Sequence, residues 1–204
     1  MTTTVGIDYS MSSPALCVHQ GDNWDINNCD FYFFLEETKK NLKTFDDVWK
    51  SNDSSNKSDS PRFFPHMYPK DVQGFDRFIF LSNWVIQCLE SYDRIDTIGI
   101  EGYAYGAGSS GGRVFEIGEN TGLLKYRLKS FGYSFSIIPP TVIKKYATGK
   151  GNSNKLLLND AFVSETECNP KSILNQSEKS FTPSSDIIDS YFIAMFVSST
   201  STTP

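Results

Sequence analysis

Histidine is scarce in this chain of 204 residues, which carries only His19 and His66, far apart in sequence. Two distant histidines argue against a histidine-based catalytic triad and against a metal site of the H-E-x-x-H type. Cysteine is scarce too, and no two of the four cysteines form a C-x-x-C pair. We therefore expect structural thiols in a reducing compartment rather than a disulfide framework or a zinc site.

Long apolar runs are also missing. No stretch approaches the roughly 18–20 apolar residues that a membrane-spanning helix needs. The N-terminal sequence MTTTVGIDYS lacks the basic-then-apolar layout of a signal peptide, so we expect a cytoplasmic protein. A length of 204 residues suits a single domain over residues 1–204 with a substantial core, and we expect a polar insertion or loop around residues 36–70.

Charge is distributed unevenly along the chain. The net charge of −5 by itself argues against a nucleic-acid partner. Residues 125–155, however, contain seven Lys or Arg and no Asp or Glu. Because electrostatic fields act over short distances in salt solution, this stretch predicts a local basic surface on an acidic protein.

Hydrophobic periodicity predicts a mixed α/β fold around one central sheet flanked by helices. Short β-branched or aromatic runs predict five strands, the first three as an antiparallel meander, at residues 4–9, 15–19, 28–35, 97–101 and 133–138. Apolar residues at helical spacing predict helices at residues 72–92, 114–128, 154–164 and 186–197, with a short helix after Pro139 and Pro140. The polar, proline-interrupted residues 50–70 indicate a long loop.

Two acidic residues each end a predicted strand. Asp8 closes the run in VGIDYS, and Glu101 closes the run in DTIGIEGYAYG, before a glycine-rich segment. If the two strands are neighbours, both carboxylates lie at one edge of the sheet. An aspartate that merely caps a turn is the alternative for Asp8.

A second pair of acids lies in SSDIIDSYFIAMF. Asp186 and Asp189 are three residues apart, which places them on one side of a helix whose other residues are largely apolar. Acids near a helix N-terminus also complement the helix dipole, which is a purely structural alternative. An acid that faces a core needs a compensating partner, because an unpaired buried charge is costly.

Four carboxylates from separate elements would repel one another unless cations lie between them. Oxygen ligands without histidine or thiolate favour Mg²⁺ or Mn²⁺ over zinc. Two such ions about 3.5–4 Å apart can activate a water and stabilise the leaving oxygen of a phosphodiester. The acids therefore predict metal-dependent phosphodiester hydrolysis with two ions per site, and a single ion is the alternative.

Five motifs occur in the order VGIDYS, IGIEGYAYG, GENTGLLKYRLKSFG, PPTVIKKYATGKGNSNK and SSDIIDSYFIA. This order resembles that of RuvC-type Holliday junction resolvases, which have an RNase H-like fold. The resemblance covers most of the chain outside residues 36–80. The four acids recur across RNase H-like nucleases, whereas the run K-K-x-x-T-G-K-G-x-x-x-K is more specific to RuvC.

The resemblance implies roles for individual residues. Asp8, Glu101, Asp186 and Asp189 match the family's metal-binding acids, whereas Lys144 and Lys155 match lysines that contact DNA phosphate and support catalysis. The residues expected to contact DNA are the aromatics after the glutamate strand, the arginine that closes the glycine-rich loop and the lysines around the TGKG turn (residues 148–151). They are Tyr103, Tyr105, Arg113, Lys144, Lys145, Lys150 and Lys155.

The resemblance also implies a homodimer that cuts two strands of like polarity in Holliday junctions and related branched DNA. The glycine-rich loop GYAYGAGSSGGR is familiar from phage and other viral relatives, so we expect a viral-type member that acts in the host cytoplasm. Alternatives are another RNase H-like nuclease, of terminase or transposase type, and a non-catalytic junction-binding module. A sugar kinase or actin-like ATPase would need a second nucleotide-binding glycine motif and a much longer chain.

Overall fold

A mixed sheet forms the centre of the molecule. The computed structural model describes residues 1–37, 41–43, 46–48, 60–68, 71–103, 111–177 and 179–201. Within these residues six strands are present: β1 Thr3–Asp8, β2 Ala15–Gln20, β3 Cys29–Glu36, β4 Arg62–Tyr68, β5 Thr97–Glu101 and β6 Ser136–Ile138. They lie in the order β4-β3-β2-β1-β5-β6 across the sheet.

Helices cover both faces of this sheet. They are α1 Gly74–Glu90, α2 Gly111–Ser130, α3 Pro140–Thr148, α4 Lys155–Thr166, α5 Pro170–Ile173 and α6 Ser184–Ser201, with a 3-10 turn at Ile26–Asn28 and helical residues at 41–43 and 46–48. One apolar core joins α1 and α2 to the sheet, and a second core joins α4 and α6 to the opposite face. In the described ranges, every helix is too short or too polar to cross a membrane.

The predicted α/β fold is confirmed, although the sheet has one strand more than predicted. β1, β2 and β3 form the predicted antiparallel meander. β1 pairs in parallel with β5, and β5 pairs in parallel with β6. All four cysteines are free thiols.

β4 is the additional strand, and it corrects the prediction of a loop over residues 50–70. It pairs in parallel with β3 at the edge of the sheet. Pro65 lies within β4, and an edge strand tolerates proline because one of its sides has no ladder to complete. Phe63 of the same strand is buried in the core. Residues 60 and 61 of that predicted loop precede the strand, and residues 50–59 and 69–70 lie outside the described residues.

A hydrogen-bonded ion pair ties β3, β4 and the end of α1 together. The Arg62 guanidinium donates two hydrogen bonds of 2.6 Å, from Nε and Nη2, to the two carboxylate oxygens of Asp30. Tyr92 Oη donates to Asp30 Oδ2 at 2.6 Å and lies 2.8 Å from Tyr32 Oη. Because the Asp30 carboxylate is buried and the pairing is bidentate, the network fixes the chain at the points where it enters β3 and β4.

Two glycines allow α6 to lie directly on the sheet. Gly6 in β1 and Gly99 in β5 are partners in the parallel register. A Cβ on Gly6 would lie 2.1 Å from the Ser190 carbonyl oxygen and 2.4 Å from the Ala194 amide nitrogen, which are backbone atoms of α6. A Cβ on Gly99 would lie 2.7 Å from Val197 Cγ1. The glycine pair is therefore the place where α6 approaches the strands most closely.

Substitution of Gly6 by alanine tests this contact. Because backbone atoms occupy the position of the new methyl group, α6 must move away from β1, and we expect the free energy of unfolding to fall by roughly 2–4 kcal/mol. Gly122→Ala is the matched control, since Gly122 is exposed within α2 and an added Cβ has no neighbour within 4 Å. Alanine there should stabilise the protein by roughly 0.5–1 kcal/mol. Equal stabilities of the two variants in urea denaturation would contradict the contact.

Candidate active site

Asp8 and Glu101 close the carboxyl ends of two neighbouring strands. Ile7 pairs with Ile100 in the parallel register, so the residues that follow them, Asp8 and Glu101, lie side by side where the two strands end. Each acid comes two residues after one member of the glycine pair, and residues i and i+2 of a strand point to the same face. Both acids therefore belong to the face that α6 covers.

The first turns of α6 bring the other two acids to this edge. Asp186 lies in the first turn, and Asp189 follows three residues later. The next residue, Ser190, lies against Gly6, so the N-terminal end of α6 is placed beside the end of β1. Asp8 and Asp186 are each only 7% exposed.

The four carboxyl groups share one electrostatic environment. Burial raises the pKa of Asp8 well above its usual range, and the charges of Asp186, Glu101 and Asp189 raise it further. Burial, together with the charges of Glu101 and Asp186, raises the pKa of Asp189 to about 7. Burial raises the pKa values of Glu101 and Asp186 as well. The structure therefore brings together the four acids that the sequence singled out.

Two lysines of the K-K-x-x-T-G-K-G-x-x-x-K run lie within electrostatic range of these acids. Against the larger effect of burial, Lys144 on α3 lowers the pKa values of Glu101 and Asp189. Lys155, the first residue of α4, lowers the pKa of every one of the four acids. The two ammonium groups therefore offset part of the repulsion among the carboxylates.

The other two lysines of this run face solvent. Lys145 is exposed on α3, where it lines a groove on the neighbouring surface. Lys150 is exposed in the TGKG turn. Their placement suits contacts with a ligand outside the acid cluster.

The aromatic and arginine positions predicted to contact DNA are described only in part. Tyr103 is half-buried, and Lys125 Nζ lies 4.8 Å from the centroid of its ring. Tyr105 lies outside the described residues. Arg113 is in the first turn of α2, and its side chain also lies outside what the structure describes.

Two serines that sequence reasoning missed hold Asp186. Ser13 Oγ, buried in the turn between β1 and β2, donates a hydrogen bond of 2.8 Å to Asp186 Oδ2. Ser185 Oγ donates to Asp186 Oδ1 at 3.4 Å, and Lys155 Nζ donates to Ser185 Oγ at 3.1 Å. A signal was present in the sequence, since serines follow Asp8 in SMSSP and precede Asp186 in SSD.

The donor set suits a hard divalent cation, although the carboxylates stand apart. All four groups are carboxylates, and their raised pKa values reflect buried negative charge that a cation would stabilise. Among the described residues, no three His, Cys, Asp or Glu side chains are close enough to hold one ion as they stand. Asp186 is instead directed toward Ser13. Gathering ligands around an ion therefore requires at least one carboxylate to rotate.

The fold matches that of solved RuvC structures. The structure of Thermus thermophilus RuvC aligns with a TM-score of 0.53 over 95% of this chain and 92% of that chain, at 14% sequence identity. T. thermophilus RuvC in complex with a Holliday junction substrate aligns with a TM-score of 0.55 over 96% and 92%, again at 14% identity. No protein-family model and no curated protein sequence matches this chain significantly. The chain therefore has the RNase H-like fold of RuvC.

Proposed function

We propose that this protein is a structure-selective DNA endonuclease that resolves Holliday junctions and related branched DNA by metal-dependent hydrolysis of phosphodiester bonds. The observation that carries the proposal is the buried, mutually repelling group formed by Asp8, Glu101, Asp186 and Asp189 within a RuvC-like fold. The RuvC structure in complex with a Holliday junction supports the choice of substrate. A protein that only bound DNA would gain nothing from clustered negative charge beside a polyanion.

The four acids are proposed to hold Mg²⁺ or Mn²⁺, with two ions in one site. Carboxylates from β1, β5 and α6 would bind the ions at the edge of the sheet, and binding would relieve the repulsion that raises the pKa values of the acids. When bound, such ions supply Lewis-acid stabilisation of the charge that develops on a phosphodiester during hydrolysis. The four carboxylates themselves would position the ions and supply the negative charge that holds them.

Two lysines are proposed to act next to the acids. Lys155 would stabilise developing charge or orient the attacking water, because its ammonium group already reaches Ser185 beside Asp186. Lys144, within range of Glu101, would bind a phosphate of the strand that is cut. Both roles use a point charge, which suits phosphate oxygens.

The remaining DNA contacts are proposed from the surface of the same region. Lys145 and Lys150 are exposed and belong to the stretch without acids, so they would bind the DNA backbone in a salt-dependent way. Tyr103, Tyr105 and Arg113 would contact the junction near its crossover, where an aromatic ring can stack on an unpaired base.

A homodimer is proposed because paired nicks at a junction need two active sites. α2 exposes apolar side chains near its start, with Val114 50% exposed, Phe115 75% and Ile117 38%. Apolar groups of this size on a helix surface are typical of a protein interface. A second copy related by a twofold axis would cover them and would present two acid clusters to one junction.

Asp8→Asn and Glu101→Gln should abolish cleavage of a synthetic four-way junction while junction binding is retained. Each change removes a negative ligand without removing volume, and losing several kcal/mol of metal-dependent stabilisation lowers the cleavage rate on the order of 10³-fold. Gel assays of nicking and of binding, with Mg²⁺ or with EDTA, measure both properties. Asp160→Asn, which changes an exposed carboxylate on α4, is the matched control and should cut like the wild type. Variants of Asp8 that still cut would show that the site is assigned wrongly.

The choice of substrate separates the proposal from its alternatives. Symmetric, Mg²⁺-dependent nicks in the junction support resolution. Cutting of linear duplex alone would favour a terminase-like nuclease. Binding of the junction without any cleavage would point to a non-catalytic module.

Asp189 should make the stability of the metal-free protein depend on pH. Its pKa is raised in the folded protein, mainly by burial, to about 7 from an ordinary value of 3.8. Between these values the folded protein binds this proton more tightly than the unfolded chain, so the free energy of unfolding falls as the pH rises. We expect Asp189→Asn to stabilise the metal-free protein by roughly 1–3 kcal/mol near pH 8 and to lose this advantage toward pH 4.

Thermal unfolding in EDTA between about pH 5 and about pH 8 measures this effect. Added Mg²⁺ should raise the melting temperature of the wild type more than that of Asp189→Asn, because the variant has lost one negative ligand. The control Asp160→Asn should follow the wild-type pH profile. Parallel pH profiles for the wild type and Asp189→Asn would place Asp189 outside the shared cluster.

A further inference from the structure

A groove lies between α3, the TGKG turn and α6. Its volume is about 620 Å³, and it is lined by Thr141, Val142, Lys145, Tyr146, Gly151 and Phe196. The four residues that α3 contributes to this lining are spaced i, i+1, i+4 and i+5, so they lie on one face of the helix. The volume falls within the range of sites that bind small organic groups.

The floor of the groove is apolar and aromatic. Tyr146 packs edge-on against Phe196, with 5.3 Å between the ring centroids, and 39% of Tyr146 is exposed. Val142, one turn earlier on α3, is 37% exposed. An aromatic ring that is held in place while part of its surface is open suits stacking against a nucleobase.

The rim of the groove is basic. Lys145 lines it, and the exposed Lys150 directly precedes Gly151 in the turn. Residues 125–155 contain no acid, and no Asp or Glu follows Asp189 in the sequence. Positive charge next to an apolar floor complements the phosphate and the base of one nucleotide.

The turn that forms one wall of the groove is held in place by its own contacts. Gly149 takes a φ of 77° and donates a backbone hydrogen bond of 2.8 Å to the Lys145 carbonyl oxygen. A Cβ on Gly151 would lie 3.1 Å from the Thr141 carbonyl oxygen, so the turn packs closely on the first turn of α3. The groove is therefore formed before a ligand arrives, which lowers the entropic cost of binding.

We propose that this groove binds an unpaired nucleotide of the DNA strand held at the acid cluster, with its base against Tyr146 and its phosphate beside Lys145. The inference rests on the proposed nuclease function and deepens it. Lys144 and Lys145 are consecutive, with Cα atoms about 3.8 Å apart. Lys144 acts on the acids, whereas Lys145 lines the groove. Consecutive side chains leave a helix about 100° apart, so the acids and the groove lie on adjacent sides of α3, and a strand that passes the acids can reach the groove.

Branched DNA supplies such a nucleotide at low cost. Taking a base out of a stacked duplex costs a few kcal/mol, and the cost is least where the base has already lost its partner. A flap or an opened branch point offers unpaired bases, whereas a blunt linear duplex does not. The groove would thus help the enzyme to distinguish branched from linear DNA.

Tyr146→Ala and Tyr146→Phe test the stacking contact. Both are made in the Asp8→Asn background, so that bound DNA is not cut, and dissociation constants are measured for flap DNA and for blunt duplex. We expect Tyr146→Ala to weaken flap binding by about 5- to 50-fold. Tyr146→Phe, which keeps the ring, should stay within about twofold of its parent, and duplex binding should not change in either variant.

Val142→Glu tests the same groove without removing a packed ring. Val142 is partly exposed, so the fold can accept glutamate there, and the added carboxylate should repel a phosphate and weaken flap binding to a similar extent. Lys43→Gln removes an exposed charge between β3 and β4 and is the charge control, which should bind flap DNA like its parent. If Val142→Glu changes the oligomeric state in sedimentation, the groove is an interface between copies and the proposal is wrong.

Cross-linking locates the nucleotide directly. A flap strand with 5-iodouracil at its unpaired positions should cross-link to Tyr146 on irradiation. Cross-links that map away from the groove, or an unchanged affinity of Tyr146→Ala, would overturn the proposal. The two proposals can be contradicted independently. Cleavage of branched DNA without any effect of Tyr146→Ala would contradict only the proposal that the groove binds a nucleotide. Groove-dependent binding without cleavage would contradict only the proposal that the protein is a nuclease.

Discussion

The close approach of α6 to the paired glycines of β1 and β5 determines where the acids meet. Gly6 and Gly99 are partners across two strands, and backbone atoms of α6 occupy the space that a side chain at Gly6 would need. Asp8 and Glu101 follow the glycines by two residues on the same face of the sheet. The helix therefore lies against the strands just where its own first turns carry the other two acids.

This contact gathers negative charge in a buried place, and the neighbouring elements reduce the cost. Lys144 on α3 and Lys155 on α4 approach the acids, and Ser13 donates a hydrogen bond to Asp186. The compensation is incomplete, because burial and mutual repulsion still raise the pKa of Asp189 to about 7. α3 has a second use, since its neighbouring face carries the aromatic and basic lining of the groove.

Much of the site follows from local sequence pattern, and the remainder depends on contacts between distant parts of the chain. Asp8 and Glu101 were recognisable because each ends a short apolar run, and Asp186 and Asp189 because acids interrupt an apolar helix. Their convergence needs β1 and β5 to be neighbours, which no local pattern encodes. The Ser13 contact joins residues 173 positions apart, so only the folded chain reveals it.

β4 was missed for a different reason. Prolines and polar residues around it outweighed a short aromatic run, and its place at the edge of the sheet makes Pro65 compatible with a strand. The groove was missed because Val142 and Tyr146 belong to α3 and Phe196 to α6, and the sequence pattern does not show that these helices meet. Tyr105 and the Arg113 side chain lie outside the described residues, and their roles stay predictions.

The ion pair between Asp30 and Arg62 has a practical consequence for engineering. With Tyr92 it holds the first residues of β3 and β4 together, so it anchors the end of the long connection between these strands that enters β4 at Arg62. β4 is three strand positions from β1, roughly 14 Å at the usual strand spacing. The pairing of β3 with β4 fixes Glu36 and Arg62, the two ends of this connection, and lengthening a connection between fixed ends adds little closure entropy. A fluorophore or an affinity peptide spliced into that connection just before Arg62, at the end of the sheet opposite Asp8, would therefore give a labelled protein whose acid cluster is undisturbed.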